Sequence, residues 1–155
     1  MSIGQSLDLA AKHNFIVEID DFQLAGFKTC SELSAEVSEI SYREGGRSIP
    51  HKSPGVQTFA DVTLERGVVV GDSDFLVWLS QVAKLATGVG LTELEYKRNL
   101  DIVQFDRAGE PIFRHTLFGA WPVKFVAGAW DADSESDVVV ESVTLAYDYF
   151  ERTKG

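Results

Sequence analysis

Val138-Val139-Val140-Glu141-Ser142-Val143-Thr144-Leu145-Ala146-Tyr147-Asp148-Tyr149-Phe150 closes the chain, and its reading decides the fold. Val143, Leu145, Tyr147 and Tyr149 share one parity, the period of a strand with one face on a core. The same pattern occurs near the start, where Phe15, Val17 and Ile19 share a face and Glu18 and Asp20 take the other. Ala60, Val62 and Leu64 alternate in a third strand that ends at Glu65-Arg66-Gly67. Asp20-Asp21 reads as a tight turn, after which Phe22 and Leu24 continue the alternation. The parity then switches at Gly26, and again between the set Leu33, Ala35, Val37 and the pair Ile40, Tyr42. Each switch predicts a bulge, the first near Gly26 and the second near Ser38-Glu39.

Residues 95–105 read as a further strand, closed by the turn Asp106-Arg107-Ala108-Gly109 before Pro111. Residues 112–118 form the next, followed by an interruption at Trp121-Pro122 and another strand over 123–129. Residues 131–137 form an acidic loop. One helix is predicted, over residues 72–87. Asp72, Ser73 and Asp74 supply its N-cap, Gly88 its C-cap, and Phe75, Leu79, Val82 and Ala86 one apolar stripe with Leu76 and Ala83 beside it. Seven or so strands with one helix give a mainly β domain. The expected architecture is an antiparallel barrel or sandwich capped by that helix.

Residues 43–56 read as an extended loop. Arg43-Glu44-Gly45-Gly46-Arg47 is followed by Pro50 and by Pro54-Gly55, and Arg43, Arg47, Lys52 and a protonated His51 gather positive charge there. Loops of this length inside a domain are functional more often than idle.

A single domain spanning 1–155 fits the length, with residues 1–12 as an N-terminal arm. Lys and Arg number 14 against 24 Asp and Glu, a formal net charge of −10. That balance argues against holding nucleic acid and against docking on an anionic membrane. One cysteine, Cys30, excludes an intrachain disulfide and a thiolate zinc cage. No apolar run approaches a membrane span and the start lacks a signal-peptide core, so the chain is expected to fold in a cytosol.

No local pattern points to catalysis, a metal or a cofactor. His13, His51 and His115 lie in separate segments, and Cys30 has no base beside it. The alternating carboxylates Asp131, Asp133, Glu135 and Asp137 resemble a calcium loop, but Ser136 stands where the turn needs glycine and Ser142 where a bidentate glutamate belongs. Gly45-Gly46 has no helix after it and Gly88-Val89-Gly90 follows one, so neither makes a phosphate cradle. The chain is expected not to be an enzyme.

Five segments in order resemble the phage tail-tube family (T4-like tail tubes), which also supplies the inner tubes of extracellular contractile injection systems. They are His13-Asn14-Phe15-Ile16-Val17-Glu18-Ile19, Tyr42-Arg43-Glu44-Gly45-Gly46, Leu64-Glu65-Arg66-Gly67-Val68, Ala120-Trp121-Pro122 and Val140-Glu141-Ser142-Val143-Thr144-Leu145-Ala146. The resemblance implies a barrel-like β-sandwich with one helix. It also implies homo-hexameric rings stacked into a hollow conduit for DNA or protein effector cargo. Sheath, baseplate or tube-initiator, and tape-measure proteins are the implied partners. The implied location is a virion tail or injection-system particle assembled in the bacterial cytoplasm. The alternative, from a different class, is a small monomeric ligand-binding β-barrel with a closed apolar cavity.

On the tube reading, residues 43–56 are an arm reaching a neighbouring ring, with Tyr42, Arg43, Glu44, Gly45, Gly46, Arg47 and Lys52 at the ring or stacking interface. Arg43, Arg47 and Lys52 would pair with acidic surfaces of the next ring. Glu18, Asp61, Glu65 and Asp148 are the candidates for an acidic lumen, which would repel a passing polyanion and keep it from sticking.

Overall fold

The strands follow in the order β1 (Phe15–Ile19), β2 (Phe22–Leu24), β3 (Phe27–Cys30), β4 (Ala35–Tyr42), β5 (His51–Phe59) and β6 (Val62–Gly67). Helix α1 (Asp74–Leu85) comes next, then β7 (Arg98–Phe105), β8 (Pro111–Val126), β9 (Val140–Ala146) and β10 (Tyr149–Lys154). The structure, a computed structural model, describes residues 14–19, 22–24, 27–46, 48–68, 74–85, 96–134 and 137–154. Among the described residues the fold is mainly β and antiparallel, with helix α1 between β6 and β7, as the alternation predicts for the strands.

Eight strands form one sheet along the path β2-β1-β7-β8-β9-β6-β3, with β10 also on β8. The path is open at β2 and β3, so the described strands do not close into a barrel. β8 organises the sheet. Its first half lies between β7 and β10, and its second half pairs with β9. Leu117 pairs with Leu100 on one side and Phe150 on the other, and Trp121 pairs with Ala146. Because β8 belongs to both halves, its bend folds them over one core. Val17, Leu100 and Leu117 from one half meet Val62, Leu64, Val143 and Leu145 from the other, all essentially inaccessible to water. Burying each such side chain stabilises the fold by roughly 1.5–3 kcal/mol.

Three strand readings need correction. The expected interruption at Trp121-Pro122 is absent, and β8 continues through both residues. Pro122 sits at a register shift against β9, and a bulge is one of the places where a strand tolerates proline. The closing stretch, read as one strand over 138–150, is two. Ala146 and Tyr149 bracket a break at Tyr147-Asp148 that lies across from Gly119, whose φ of 68° turns β8. The break shifts parity, so Phe150 rather than Tyr149 packs against the core.

The third correction concerns residues 43–56. Only the stretch up to Pro50 is irregular; β5 starts at His51 and pairs with β4 from Tyr42↔His51 to Ala35↔Phe59. Pro54-Gly55, read as a breaker, sits at a bulge. The register shifts between Val37 and Glu39, opposite Pro54, as the parity switch near Ser38-Glu39 predicts. Val56 N–H donates to Ser38 Oγ (2.9 Å) across the bulge, and a side chain at Gly55 would collide with that hydroxyl. The first expected bulge, at Gly26, lies outside the described residues, as does the arm 1–12.

Helix α1 turns the expected stripe to the core through Phe75 and Val82, but Trp78, not Leu76 or Ala83, stands beside it. Phe75 and Trp78 are buried and Val82 packs on them, whereas Leu76 and Ala83 face solvent. Trp78 sets this register because its indole brings the largest apolar area, and its Nε1–H finds the Tyr96 carbonyl at 2.7 Å. Beneath the helix, Arg66 of β6 donates to Glu141 of β9 at 2.6 Å, with side chains only 4% and 8% exposed. The Arg66 guanidinium also lies 5.5 Å from the Phe27 ring centroid and 5.0 Å from that of Phe75. This buried pair ties the helix to both central strands.

Candidate assembly interface

The β4–β5 hairpin forms a two-stranded sheet of its own. Every residue of β4 is exposed, on both faces. Val37, Ile40 and Tyr42 on β4, Val56 on β5 and Ile49 in the connection all present apolar surface to water. A two-stranded ribbon is marginally stable alone in water, and exposed apolar side chains gathered on one ribbon are the composition of an interaction surface.

At the tip, Tyr42 stacks on His51 with ring centroids 5.4 Å apart, and Gly46 takes a φ of 84°, a conformation that favours glycine. Arg43, Glu44 and Gly45 lead into this turn, and Lys52 reaches Glu39 at 3.5 Å. The hairpin thus gathers Tyr42, Arg43, Glu44, Gly45, Gly46 and Lys52 in one place, while Arg47 lies outside the described residues.

A second surface is the outer face of the sheet over β1, β7, β8 and β10. The register lines up Glu18, Asp101, Thr116 and Glu151 in one row and Ile16, Val103, Arg114 and Thr153 in the next. Glu18 and Asp101 stand directly opposite each other, a repulsive arrangement for two carboxylates. Arg114 resolves it by donating to both, at 2.9 Å to Glu18 and 2.7 Å to Asp101. Those hydrogen bonds hold the Arg114 pKa above its usual value. Three carboxylates against one guanidinium leave this face acidic.

The four expected lumen carboxylates lie apart. Glu18 belongs to the acidic row. Glu65, on β6, accepts a hydrogen bond from Thr29 Oγ1 (3.0 Å). Asp61 is exposed just before β6, and Asp148, at the β9–β10 break, pairs with Lys97 at 3.3 Å. Asp101, Arg114 and Glu151 escape sequence reading because their significance comes from cross-strand register.

Among the described residues, titratable groups elsewhere carry no reactive arrangement. Burial pushes the Cys30 thiol up to about 11, so it is not a thiolate at neutral pH. His115 Nε2 accepts from Arg152 Nε at 2.8 Å, and burial, with the Arg152 charge behind it, lowers its pKa. Among the described residues no group of His, Cys, Asp and Glu is arranged to hold a metal, and no helix is long and apolar enough to cross a membrane.

The fold is similar to chains of known assemblies. A chain in the cryo-EM structure of the anti-feeding prophage cap, the AFP tube terminating cap, superposes with a TM-score of 0.83 at 24% identity, over 100% of this chain and 97% of that one. A chain in the PVC sheath-tube complex of an extracellular contractile injection system, in the extended state, gives 0.78 at 25% identity, over 95% and 93%. Hcp1 from Flavobacterium johnsoniae gives 0.54 at 12% identity, over 92% and 96%, a likeness of fold alone. No curated protein matches the chain by sequence. The sequence model of T4-like virus tail tube protein gp19 matches residues 11–151, nearly the whole chain. The chain therefore belongs to the T4-like virus tail tube protein gp19 family, whose members are structural tube proteins rather than enzymes, found in phage tails and injection-system particles.

Proposed function

We propose that the chain self-assembles into hexameric rings that stack into a hollow tube, a conduit for DNA or protein cargo. The observation that carries this reading is the β4–β5 hairpin, its β4 strand exposed on both faces and its apolar side chains open to a partner. Two further features support it. Among the described strands β10 pairs with β8 alone, so its outer edge offers unpaired backbone groups. β2 ends the other side of the same half-sheet, so edge-to-edge pairing of copies would extend that sheet around a ring.

On this reading the acidic face bearing Glu18, Asp101 and Glu151 lines the channel, and Arg114 fixes the carboxylates without cancelling their charge. A polyanion passing through would be repelled and kept moving. Asp61, Glu65 and Asp148 add negative charge elsewhere on each subunit. Arg43, Arg47 and Lys52, with Tyr42, Glu44, Gly45 and Gly46 shaping the tip, carry contact between rings. Sheath, baseplate or tube-initiator, and tape-measure proteins would complete the particle.

Charge reversal tests the stacking role. Arg43→Glu combined with Arg47→Glu should abolish tubes in negative-stain images while leaving the circular dichroism spectrum unchanged. Tubes of normal length from the double variant would refute it.

A further inference from the structure

The base of the hairpin sits at one end of β6. There Ala60 N–H donates to the Ser34 carbonyl (3.4 Å), just before Val62, and the Phe59 ring centroid lies 6.1 Å from that of Tyr147. The connection between β8 and β9 sits at the other end, where Gly67 pairs with Val140 and Val68 N–H donates to the Val139 carbonyl (2.9 Å). This connection carries Trp130, 74% exposed, and Val138, 76% exposed. Together with Val140 they line an open groove of about 700 Å³, with Asp131 and Asp137 also on its walls. Asp133 belongs to the same turn, its N–H donating to the Asp131 carboxylate (3.0 Å). An exposed tryptophan beside exposed aliphatic side chains, with carboxylates around it, is the composition of a binding hot spot with a polar rim.

We propose that this groove receives the hairpin tip of a second copy of the chain, with Ile49 inserted against Trp130 and Val138. Ile49 is 76% exposed and is the apolar residue nearest the turn. The charges are complementary. Although the chain carries −10 overall, Arg43, Arg47 and Lys52 outnumber Glu39 and Glu44 in the sequence from 39 to 52, even with Lys52 paired to Glu39, and the groove offers Asp131 and Asp137. The geometry supplies the rest. Hairpin base and groove lie at opposite ends of β6, which lets the tip of one copy enter the groove of the next and the relation repeat along a stack. This inference rests on the tube reading and deepens it by assigning the stacking contact a receptor.

Disulfide trapping tests it. In a full-length Cys30→Ala background, Ile49→Cys and Trp130→Cys are combined and the assembled protein is oxidised. The expected result is a reducible ladder at multiples of the chain mass on a non-reducing gel, absent from either single variant. In parallel, Trp130→Ser should raise the concentration needed for stacking at least about tenfold, as expected for loss of a hot-spot side chain, with an unchanged melting temperature. Tubes that form without a ladder, or Trp130→Ser tubes at wild-type concentration, would overturn the groove assignment and leave the tube reading standing. Wild-type protein that never assembles would overturn both.

Discussion

Replacing Glu141 with glutamine keeps the shape of the side chain and removes its charge. Arg66 then faces an amide where a carboxylate stood at 2.6 Å, in a site where the two side chains are 4% and 8% exposed. Breaking a buried pair by removing one partner typically costs about 3–5 kcal/mol, because the remaining charge stays desolvated. For a domain of this size each kcal/mol lowers the melting temperature by roughly 2–4 °C, so Glu141→Gln should melt about 6–20 °C below wild type. The rings of Phe27 and Phe75 retain contact with the guanidinium, which favours the lower half of that range. The assay is thermal unfolding by circular dichroism at matched protein concentration, since assembly itself raises apparent stability. The double variant Glu141→Leu with Arg66→Met should recover most of the loss, because it removes both charges and leaves apolar volume. A Glu141→Gln melting temperature within about 2 °C of wild type would refute the claim that this pair anchors the helix to β6 and β9.

Two other perturbations probe the contact between β8 and β10 and the hairpin bulge. Burial and the Arg152 charge lower the pKa of His115 below its usual 6.5, so the unfolded chain binds the extra proton more readily. The contribution of the His115–Arg152 contact is therefore complete above 6.5 and fades as pH falls through the lower folded-state value. His115→Asn should flatten the dependence of melting temperature on pH in that window, and an unchanged slope would contradict the assignment. Gly55→Ala should weaken tube formation with little change in melting temperature, because the new methyl displaces Ser38 Oγ from Val56 N–H at the hairpin bulge. Wild-type assembly of that variant, read by negative stain, would contradict the close approach.

The strands that pack on the core were legible because alternation reports burial of one face. Phe15 to Ile19, Val62 to Leu64 and Val143 to Leu145 all read correctly for that reason. The parity switch at Ser38-Glu39 also reported a real bulge. The hairpin was half hidden because β5 meets the core only at its last residue, Phe59, and Pro54-Gly55 reads locally as a breaker. Trp78 joins Phe75 and Val82 on the buried face of the helix, a place invisible in the sequence because a distant carbonyl, Tyr96 O, accepts its indole proton. The charged contacts were beyond local reading altogether. Arg66 and Glu141 stand 75 positions apart in sequence, and Arg114 and Glu18 stand 96 apart. Trp130 carried no periodic signal, and its exposure becomes visible only once the connection between β8 and β9 is folded.

The claim that this chain builds a tube is tested most directly by light scattering and negative-stain electron microscopy of the purified protein across a concentration series. The account predicts rings that lengthen into stacked tubes as concentration rises. A 17.1 kDa monomer that persists at every concentration would contradict it.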